Sequence, residues 1–216
     1  MLAGRDTTSA ALTWFFCLVS MNPEVKTRIL EELRANSHKT CESSAGQQEK
    51  YRVFDAEELN QSPLYESLRL YPPVPFEQAS VLQPEVLPSG EAVRPGTKIL
   101  IPLYTMARME SIWGKDCLEF KPARWITEKG KLKFEPSYKF MAFHSGPRIC
   151  LGKEVAFTQM KSVAATLLFN FHFQVLEGHP VSPTLSIILQ MEKGLKVRVR
   201  QRHPDALKQV TVQNQH

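Results

Sequence analysis

Eleven of the fifteen prolines in this 216-residue chain fall between Pro63 and Pro147. Proline has no backbone donor, and its ring clashes with the preceding helical turn. The middle third is therefore predicted to consist of short strands and extended coil, with long helices only at the two ends. Within it, Glu91 to Val93 and Lys98 to Pro102 read as strands joined by a turn at Arg94-Pro95-Gly96.

The N-terminal end reads as one helix over residues 2 to 21, which stops at Asn22-Pro23. Its apolar residues run all the way round, which predicts burial on every side. A second helix is predicted with Asn22 as its cap, Pro23 and Glu24 in its first turn, and Val25, Ile29, Leu30 and Leu33 on one face, fading near Asn36. Ser37 to Arg52 turns to Ser, Gln, Glu, Lys and Gly and reads as a loop, followed by a helical turn at Asp55 to Asn60. Ser62-Pro63 is predicted to cap and start a helix through Leu64, Leu68 and Leu70 that the prolines from Pro72 onward terminate. A long helix from about Gly152 to Asn170 carries Val155, Ala156, Val163, Ala164, Leu167, Leu168 and Phe171 at helical spacing. Phe171 to Leu176, Ile187 to Gln190 and Leu195 to Arg200 have strand composition, clearest in the alternation Lys196-Val197-Arg198-Val199-Arg200. The expected class is mainly α with small mixed β-sheets.

Hydrophobic residues at 43%, charged residues at 23% and a net charge of +5 are ordinary globular values that exclude disordered, collagen-like and disulfide-scaffold classes. The longest mainly apolar run, Ala10 to Val19, is shorter than the roughly 20 residues that cross a bilayer. The N-terminus has no basic region ahead of a hydrophobic one and does not read as a secretory signal. Cys17, Cys41, Cys117 and Cys150 are widely spaced with no zinc pattern, so a reduced, cytosol-facing protein is expected. His144, His172 and His179 have no partner at metal-ligand spacing and are assigned to loop and surface. Nothing indicates nucleic-acid recognition, because the aromatic residues are not interleaved with basic ones.

The stretch Phe143-His144-Ser145-Gly146-Pro147-Arg148-Ile149-Cys150-Leu151-Gly152 is a tight loop that delivers a cysteine just ahead of a helix N-terminus. Free amides and the macrodipole there stabilise a thiolate, which makes the sulfur a ligand or a nucleophile; the plain alternative is an inert cysteine in a turn. A nucleophile would need a base near Cys150, and His144 stands six residues away on the same loop.

The pattern F-x-x-G-x-R-x-C-x-G resembles the cytochrome P-450 family of haem-thiolate monooxygenases. Two further motifs appear in the family's order. Glu66-Ser67-Leu68-Arg69 fits E-x-x-R and is followed by Tyr71-Pro72-Pro73, and Phe120-Lys121-Pro122-Ala123-Arg124-Trp125 matches F-x-P-x-R-W. The opening Ala3-Gly4-Arg5-Asp6-Thr7-Thr8 matches the A/G-G-x-D/E-T-T segment over the distal haem face. The resemblance implies that Cys150 is the axial thiolate of the haem iron, where sulfur favours O–O cleavage. It also implies that Phe143 packs beside the sulfur, that Arg148 pairs with a haem propionate, and that Gly146 and Gly152 allow close backbone approach. Glu66, Arg69 and Arg124 become a buried structural network bracing the cysteine loop. Thr7 and Asp6 become an alcohol–acid pair that relays protons to dioxygen, for which Gly4 leaves room. Read from residues alone, Asp6 and Thr7 are helix-capping side chains.

Ala3 to Phe16, Tyr71 to Phe76, Val86 to Gly90, Tyr138 to Phe143 and Cys150 to Met160 are similar to the plant members that hydroxylate fatty acids and mid-chain alkanes. The implied activity is insertion of one oxygen atom of O2 into an aliphatic C–H bond of such a substrate. Electrons come from NADPH through the NADPH-cytochrome P-450 reductase. Pro75, Phe76 and Glu77 are expected to line the distal pocket. Residues 115 to 161 hold ten Lys or Arg against five Asp or Glu, a basic stretch able to steer an acidic reductase. The resemblance covers the chain up to Arg202, giving a haem-binding domain at residues 1–202, the C-terminal half of the family's fold, and a polar tail at 203–216. Family members are longer, with an anchor on the cytoplasmic face of the endoplasmic reticulum membrane. This chain is expected to be a truncated form without that anchor, with a deletion and a shortened helix ahead of Glu66. The alternative function is a non-catalytic fragment with weak or no haem binding.

Overall fold

The computed structural model describes residues 2–37, 61–184 and 186–202. The helical turn expected at Asp55 to Asn60, the polar tail and all but the first residue of the expected Ser37 to Arg52 loop lie outside the described residues. Helix α1 spans Leu2–Met21 and α2 spans Pro23–Ser37. Asn22 joins them and holds the expected cap position of α2, its carbonyl accepting from Lys26 N–H at 3.1 Å, but its side chain turns the other way. Its side-chain amide donates to the Leu18 carbonyl at 2.7 Å and so closes the C-terminus of α1. Proline at the first position of α2 leaves that helix one amide fewer to satisfy.

Burial on every side holds only for the second half of α1. Ala10, Ala11, Trp14, Phe15, Cys17 and Val19 are buried, whereas Ala3, Gly4 and Arg5 are exposed. The charge at the start of the helix is therefore not interred, and Arg5 pairs with Asp6 at 2.7 Å in solvent. Helix α3, Ser62–Leu70, is buried at all nine positions. Ser62 is its first helical residue, not its cap; Gln61 takes that position and makes no side-chain cap bond. Helix α6 spans Lys153–Asn170.

The main core joins Phe15 and Val19 of α1, Ile29 and Leu33 of α2, Leu64, Tyr65 and Leu68 of α3, and Phe157, Met160, Ala164 and Leu168 of α6. Each large side chain removed from water there contributes about 1.5–3 kcal/mol. Aromatic rings concentrate around Tyr65, with Trp125 at 5.1 Å, Phe157 at 4.8 Å and Phe140 at 5.6 Å between centroids. A smaller cluster forms where Trp14 stacks on Tyr71 at 3.8 Å beside Cys17 and Met191. The predicted buried face of α6 is partly corrected, since Val155 is 61% and Val163 38% exposed.

Four two-stranded ladders lie among the described residues, all antiparallel, where the sequence left their direction mixed. Strand β1 (Glu77–Ser80) pairs with β4 (Lys98–Ile101), and β2 (Glu85–Val86) with β3 (Ala92–Val93). The turn at Arg94-Pro95-Gly96 exists, with Thr97 N–H donating to Arg94 and φ of 84° at Gly96. The strands on either side of it do not pair with each other. Val81 and Thr97 extend the β1–β4 ladder into the turn, Val81 N–H donating to Thr97 at 3.0 Å and Gly96 N–H to Val81 at 2.8 Å. Those bonds use the groups that a local hairpin would need. Between β4 and α6 lie short helices α4 (Leu103–Met106) and α5 (Glu110–Trp113) and 3-10 turns at Pro122–Trp125 and Gly146–Arg148.

After α6, β5 (Phe171–Val175) pairs with β8 (Val197–Gln201), and β6 (Pro183–Thr184) with β7 (Gln190–Met191). The strand expected over Ile187 to Gln190 is reduced to Gln190. Leu189 is held by single bonds instead, its N–H donating to Pro73 at 2.8 Å and its carbonyl accepting from Trp14 Nε1 at 2.9 Å. In β8 the alternation leaves Val199 49% exposed, so that ribbon is covered on neither face at that point.

A carboxylate buried at 0% exposure organises the irregular middle segment. Glu66 Oε2 accepts from Arg69 Nε at 2.8 Å and Trp125 Nε1 at 2.8 Å. Its Oε1 accepts from Arg69 Nη2 at 2.9 Å, the Lys121 amide at 3.0 Å and Arg124 Nε at 3.3 Å. Arg69 also donates to the carbonyls of Ala107, Cys117 and Glu119. Helix α3 thus holds Glu66 and Arg69 in a closed network. At its surface edge, hydrogen bonds from Lys121 and Arg124 hold the Asp116 carboxyl down to about 2. That contribution is complete above about pH 4 and is lost as the pH falls toward the native value. Replacing Glu66 with alanine leaves Arg69 charged and buried without its partner. Glu66→Ala is expected to lower unfolding free energy by about 3–5 kcal/mol in a denaturant titration, and a loss below about 1 kcal/mol would contradict the network's role.

Candidate functional site

Glycine, threonine and alanine on α1 recur at positions 3, 4, 7, 8 and 11, one face of a helix. On α6 and its cap the same spacing runs through Gly152, Val155, Ala156, Gln159 and Met160. Both faces line one cleft of about 400 Å³ that opens to solvent. Its remaining walls come from Leu68 of α3, from Pro73, Val74 and Glu77 after it, and from Ala142, Phe143, His144, Arg148 and Cys150 of the cysteine loop. Val155 is exposed because it faces this space and not the core.

Local bonds shape the cysteine loop. Cys150 N–H donates to the Phe143 carbonyl at 2.9 Å, which closes the loop, and Ile149 N–H donates to Gly146 at 3.1 Å. Gly146 has φ of 63°, a left-handed conformation that a residue with a Cβ adopts at a cost. Phe143 packs on Phe157 of the core at 5.1 Å between centroids, which anchors the loop's first residue. Gly152 is the N-cap of α6 and offers no side-chain cap, so the first amides of the helix are left beside the sulfur. A Cβ on Gly152 would stand 3.9 Å from Cys150 Sγ.

The three described cysteines are free thiols in two kinds of surroundings. Cys17 and Cys117 are buried and Cys150 is exposed. Burial pushes the Cys17 thiol up to about 11. Cys117 Sγ lies 3.2 Å from the Arg108 carbonyl. Only the sulfur of Cys150 opens on the cleft.

The structure brings Gly4, Thr7, Glu77, Phe143, Arg148, Cys150 and Gly152 to this one space. Asp6 is not in its lining, and its carboxylate faces Arg5. Thr7 donates its hydroxyl hydrogen to the Ala3 carbonyl, so toward the cleft it presents lone pairs. Pro75 and Phe76 do not line the cleft: Pro75 is buried and Phe76 is 40% exposed. Pro73 and Val74 take their place. The sequence reading missed these two, together with Gln159 and His144. The α6 residues were legible from their spacing, but His144 carries no periodic signal. His179 bonds to the Gly194 carbonyl, and His172 stands opposite Arg200 in the β5–β8 ladder. Burial lowers the His172 pKa, and Lys26, Arg202 and Arg200 lower it further.

The donor set limits what the cleft can hold. Among the described residues no group of three or more His, Cys, Asp or Glu is placed to bind a metal ion. A metal at Cys150 would take one protein ligand and would have to bring its other ligands with it, as an ion within a macrocycle does. Arg148 makes no hydrogen bond or ion pair among the described residues, leaving a cation in the cleft for an anionic group. An apolar cleft with one open thiol and one unpaired guanidinium fits haem.

The difference in exposure has a direct readout. Brief alkylation of the folded chain with iodoacetamide near pH 8, followed by peptide mapping, is expected to modify Cys150 and to leave Cys17 and Cys117 intact until denaturant is added. Equal labelling of Cys17 and Cys150 in the folded state would contradict the described burial.

The profile of the cytochrome P-450 family matches residues 1–199. Noroxomaritidine synthase from Narcissus is 50% identical over 208 residues, covering 94% of this chain and 40% of that protein. Alkane hydroxylase MAH1 from Arabidopsis thaliana is 48% identical over 204 residues, covering 92% of this chain and 38% of that protein. A crystal structure of a cytochrome P-450 (CYP102L1) superposes with a TM-score of 0.75 at 23% identity, covering 93% of this chain and 43% of the other, which supports the fold. The chain thus spans about 40% of the length of the curated relatives it matches. With the cysteine loop, the Glu66–Arg69–Arg124 network and the small-residue face of α1 in one arrangement, the chain belongs to the cytochrome P-450 family.

Proposed function

We propose that this chain forms the haem-thiolate part of a monooxygenase that inserts one oxygen atom of O2 into an aliphatic C–H bond of a long-chain alkane or fatty acid. The observation that carries this reading is the exposed Cys150 thiol in a cleft that also holds the unpaired Arg148 and the Thr7 face of α1. Haem, when bound, supplies the iron chemistry that activates dioxygen, and sulfur ligation favours O–O cleavage. In this reading Cys150 holds the iron, Arg148 pairs with a carboxylate on the ring's edge, and Phe143 shields the sulfur from one side. Gly4 and Gly152 keep side-chain bulk away from the ring, and Gly146 supplies the left-handed turn of the loop.

Thr7 is the proton-handling residue on the cleft side of α1. To pass a proton into the cleft its hydroxyl has to leave the Ala3 carbonyl, and a donor must then refill it. Asp6 serves as that donor when it takes up a proton from solvent, leaves its bond with Arg5 and turns to Thr7. The small α1 residues and the apolar Val74, Val155 and Ala156 give the site an apolar lining for a hydrocarbon chain.

The aliphatic substrate class is supported by the motifs shared with plant hydroxylases and by the 48% identity to the alkane hydroxylase. Electrons are drawn from NADPH through a flavoprotein reductase. Within residues 115–161, Lys121, Arg124, Lys133 and Lys139 are engaged with Asp116, Glu66 and Glu135, Lys161 is buried and Arg148 lines the cleft, so Lys115, Lys129, Lys131 and Lys153 are the cations left to steer an acidic partner. The working place is the cytoplasmic face of the endoplasmic reticulum membrane. Among the described residues no helix is long and apolar enough to cross a membrane, so no described helix is its anchor.

The test is the carbon-monoxide difference spectrum of the reduced chain after reconstitution with haem. A strongly red-shifted Soret band that disappears in Cys150→Ser is the expected result. An unshifted band, or a red-shifted band that survives the substitution, overturns the assignment of Cys150.

A further inference from the structure

Among the described residues, His144 is the one residue other than glycine with a positive φ, at 60°. Histidine enters the left-handed region more readily than most side chains, yet the conformation still costs free energy on the order of 1 kcal/mol. The loop does not require it for closure, since the bond from Cys150 N–H to Phe143 already closes it. What the conformation does is hold the imidazole in one orientation. The His144 N–H donates to Met141 at 2.9 Å, and the Ser145 N–H donates to His144 Nδ1 at 2.7 Å. Nδ1 also lies 2.9 Å from the Ser145 carbonyl oxygen, but the amide hydrogen cannot turn away from a ring nitrogen so close, so Nδ1 is the acceptor. The neutral ring then carries its hydrogen on Nε2.

Among the described residues that N–H has no acceptor in reach. The nearest carboxylate oxygen, Glu77 Oε2, is 3.9 Å away, beyond a hydrogen bond. His144 lines the same cleft as Arg148 and Cys150. The loop therefore presents a fixed, unused donor to the space where the proposed cofactor sits, at a position where a glycine would satisfy the backbone alone.

We propose that His144 is a second anion-binding side chain of the cleft, its Nε2–H donating to a carboxylate on the porphyrin edge. The inference rests on the haem reading and adds to it a recognition residue outside the five matched positions of the cysteine motif. The Glu77 carboxylate stands 3.9 Å from the same nitrogen and repels a second carboxylate there, so the two side chains have opposite effects on a carboxylate-bearing ligand.

The experiment titrates the full chain with iron protoporphyrin IX and, separately, with its dimethyl ester, which has no free carboxylate, and follows the Soret absorbance. His144→Gly removes the donor and suits the left-handed backbone. It is expected to weaken binding of the free acid about tenfold and to leave binding of the diester unchanged. His144→Asn also tolerates that backbone but is too short to reach, and should behave like the glycine variant. Glu77→Gln is expected to raise the preference for the free acid over the diester. Equal changes for the two porphyrins in the His144 variants, no change in either, or a fall in the preference with Glu77→Gln overturns the proposal. A wild-type chain that binds neither porphyrin in a manner dependent on Cys150 overturns the haem reading itself, which keeps the two failures distinct.

Discussion

A charge buried away from water must have its partners arranged around it, and Glu66 has no exposure at all. Its two oxygens collect five donors from Arg69, Lys121, Arg124 and Trp125. The residues from Leu103 to Trp125 form only short helical turns, so their carbonyls lack the ladder partners that a regular element supplies. Guanidinium groups take that place: Arg69 serves Ala107, Cys117 and Glu119, and Arg124 serves Trp113 and Asp116. Because Glu66 pairs with both arginines, and Asp116 supplies Arg124 with a second carboxylate, this network holds together a segment that proline keeps from forming longer structure.

The cleft depends on that network indirectly. Tyr65 precedes Glu66 on α3 and sits among Trp125, Phe140 and Phe157, while Phe143 packs on the same Phe157. The aromatic cluster thus connects the buried ion pairs to the first residue of the cysteine loop. The other end of the loop runs into α6, whose outer face lines the cleft and whose inner face, through Met160, Ala164 and Leu168, lies in the core. The sulfur is positioned between a packed aromatic anchor and a helix end.

Much of the helical framework was legible because it follows from local properties. Proline at 23 and 63 marks two starts, and the absence of glycine and proline after Gly4 lets α1 run its full length. Strand partners were not legible. The Arg94 to Gly96 turn formed as its residues require, yet β3 and β4 pair with β2 and β1, because Val81 takes up the Thr97 and Gly96 groups. Nothing near Arg94 encodes Val81. In the cleft, four of the five motif positions stood out, Gly146 lying outside its lining, whereas Pro73 and Val74 in place of Pro75 and Phe76 depended on how the chain leaves α3. His144 looked like a loop residue because its role rests on one backbone angle and one amide bond.

By itself the amino-acid sequence determined the helix boundaries, the tight cysteine loop and the family, since proline, glycine and motif spacing act within a few residues of themselves. Tertiary structure decided which faces of α1 and α6 look into the cleft, which strands pair, and that Asp6 turns to Arg5 while Thr7 meets the open space. Those outcomes depend on groups far apart in the chain competing for the same hydrogen bonds and the same buried volume. Such competition is settled only when the whole chain has packed.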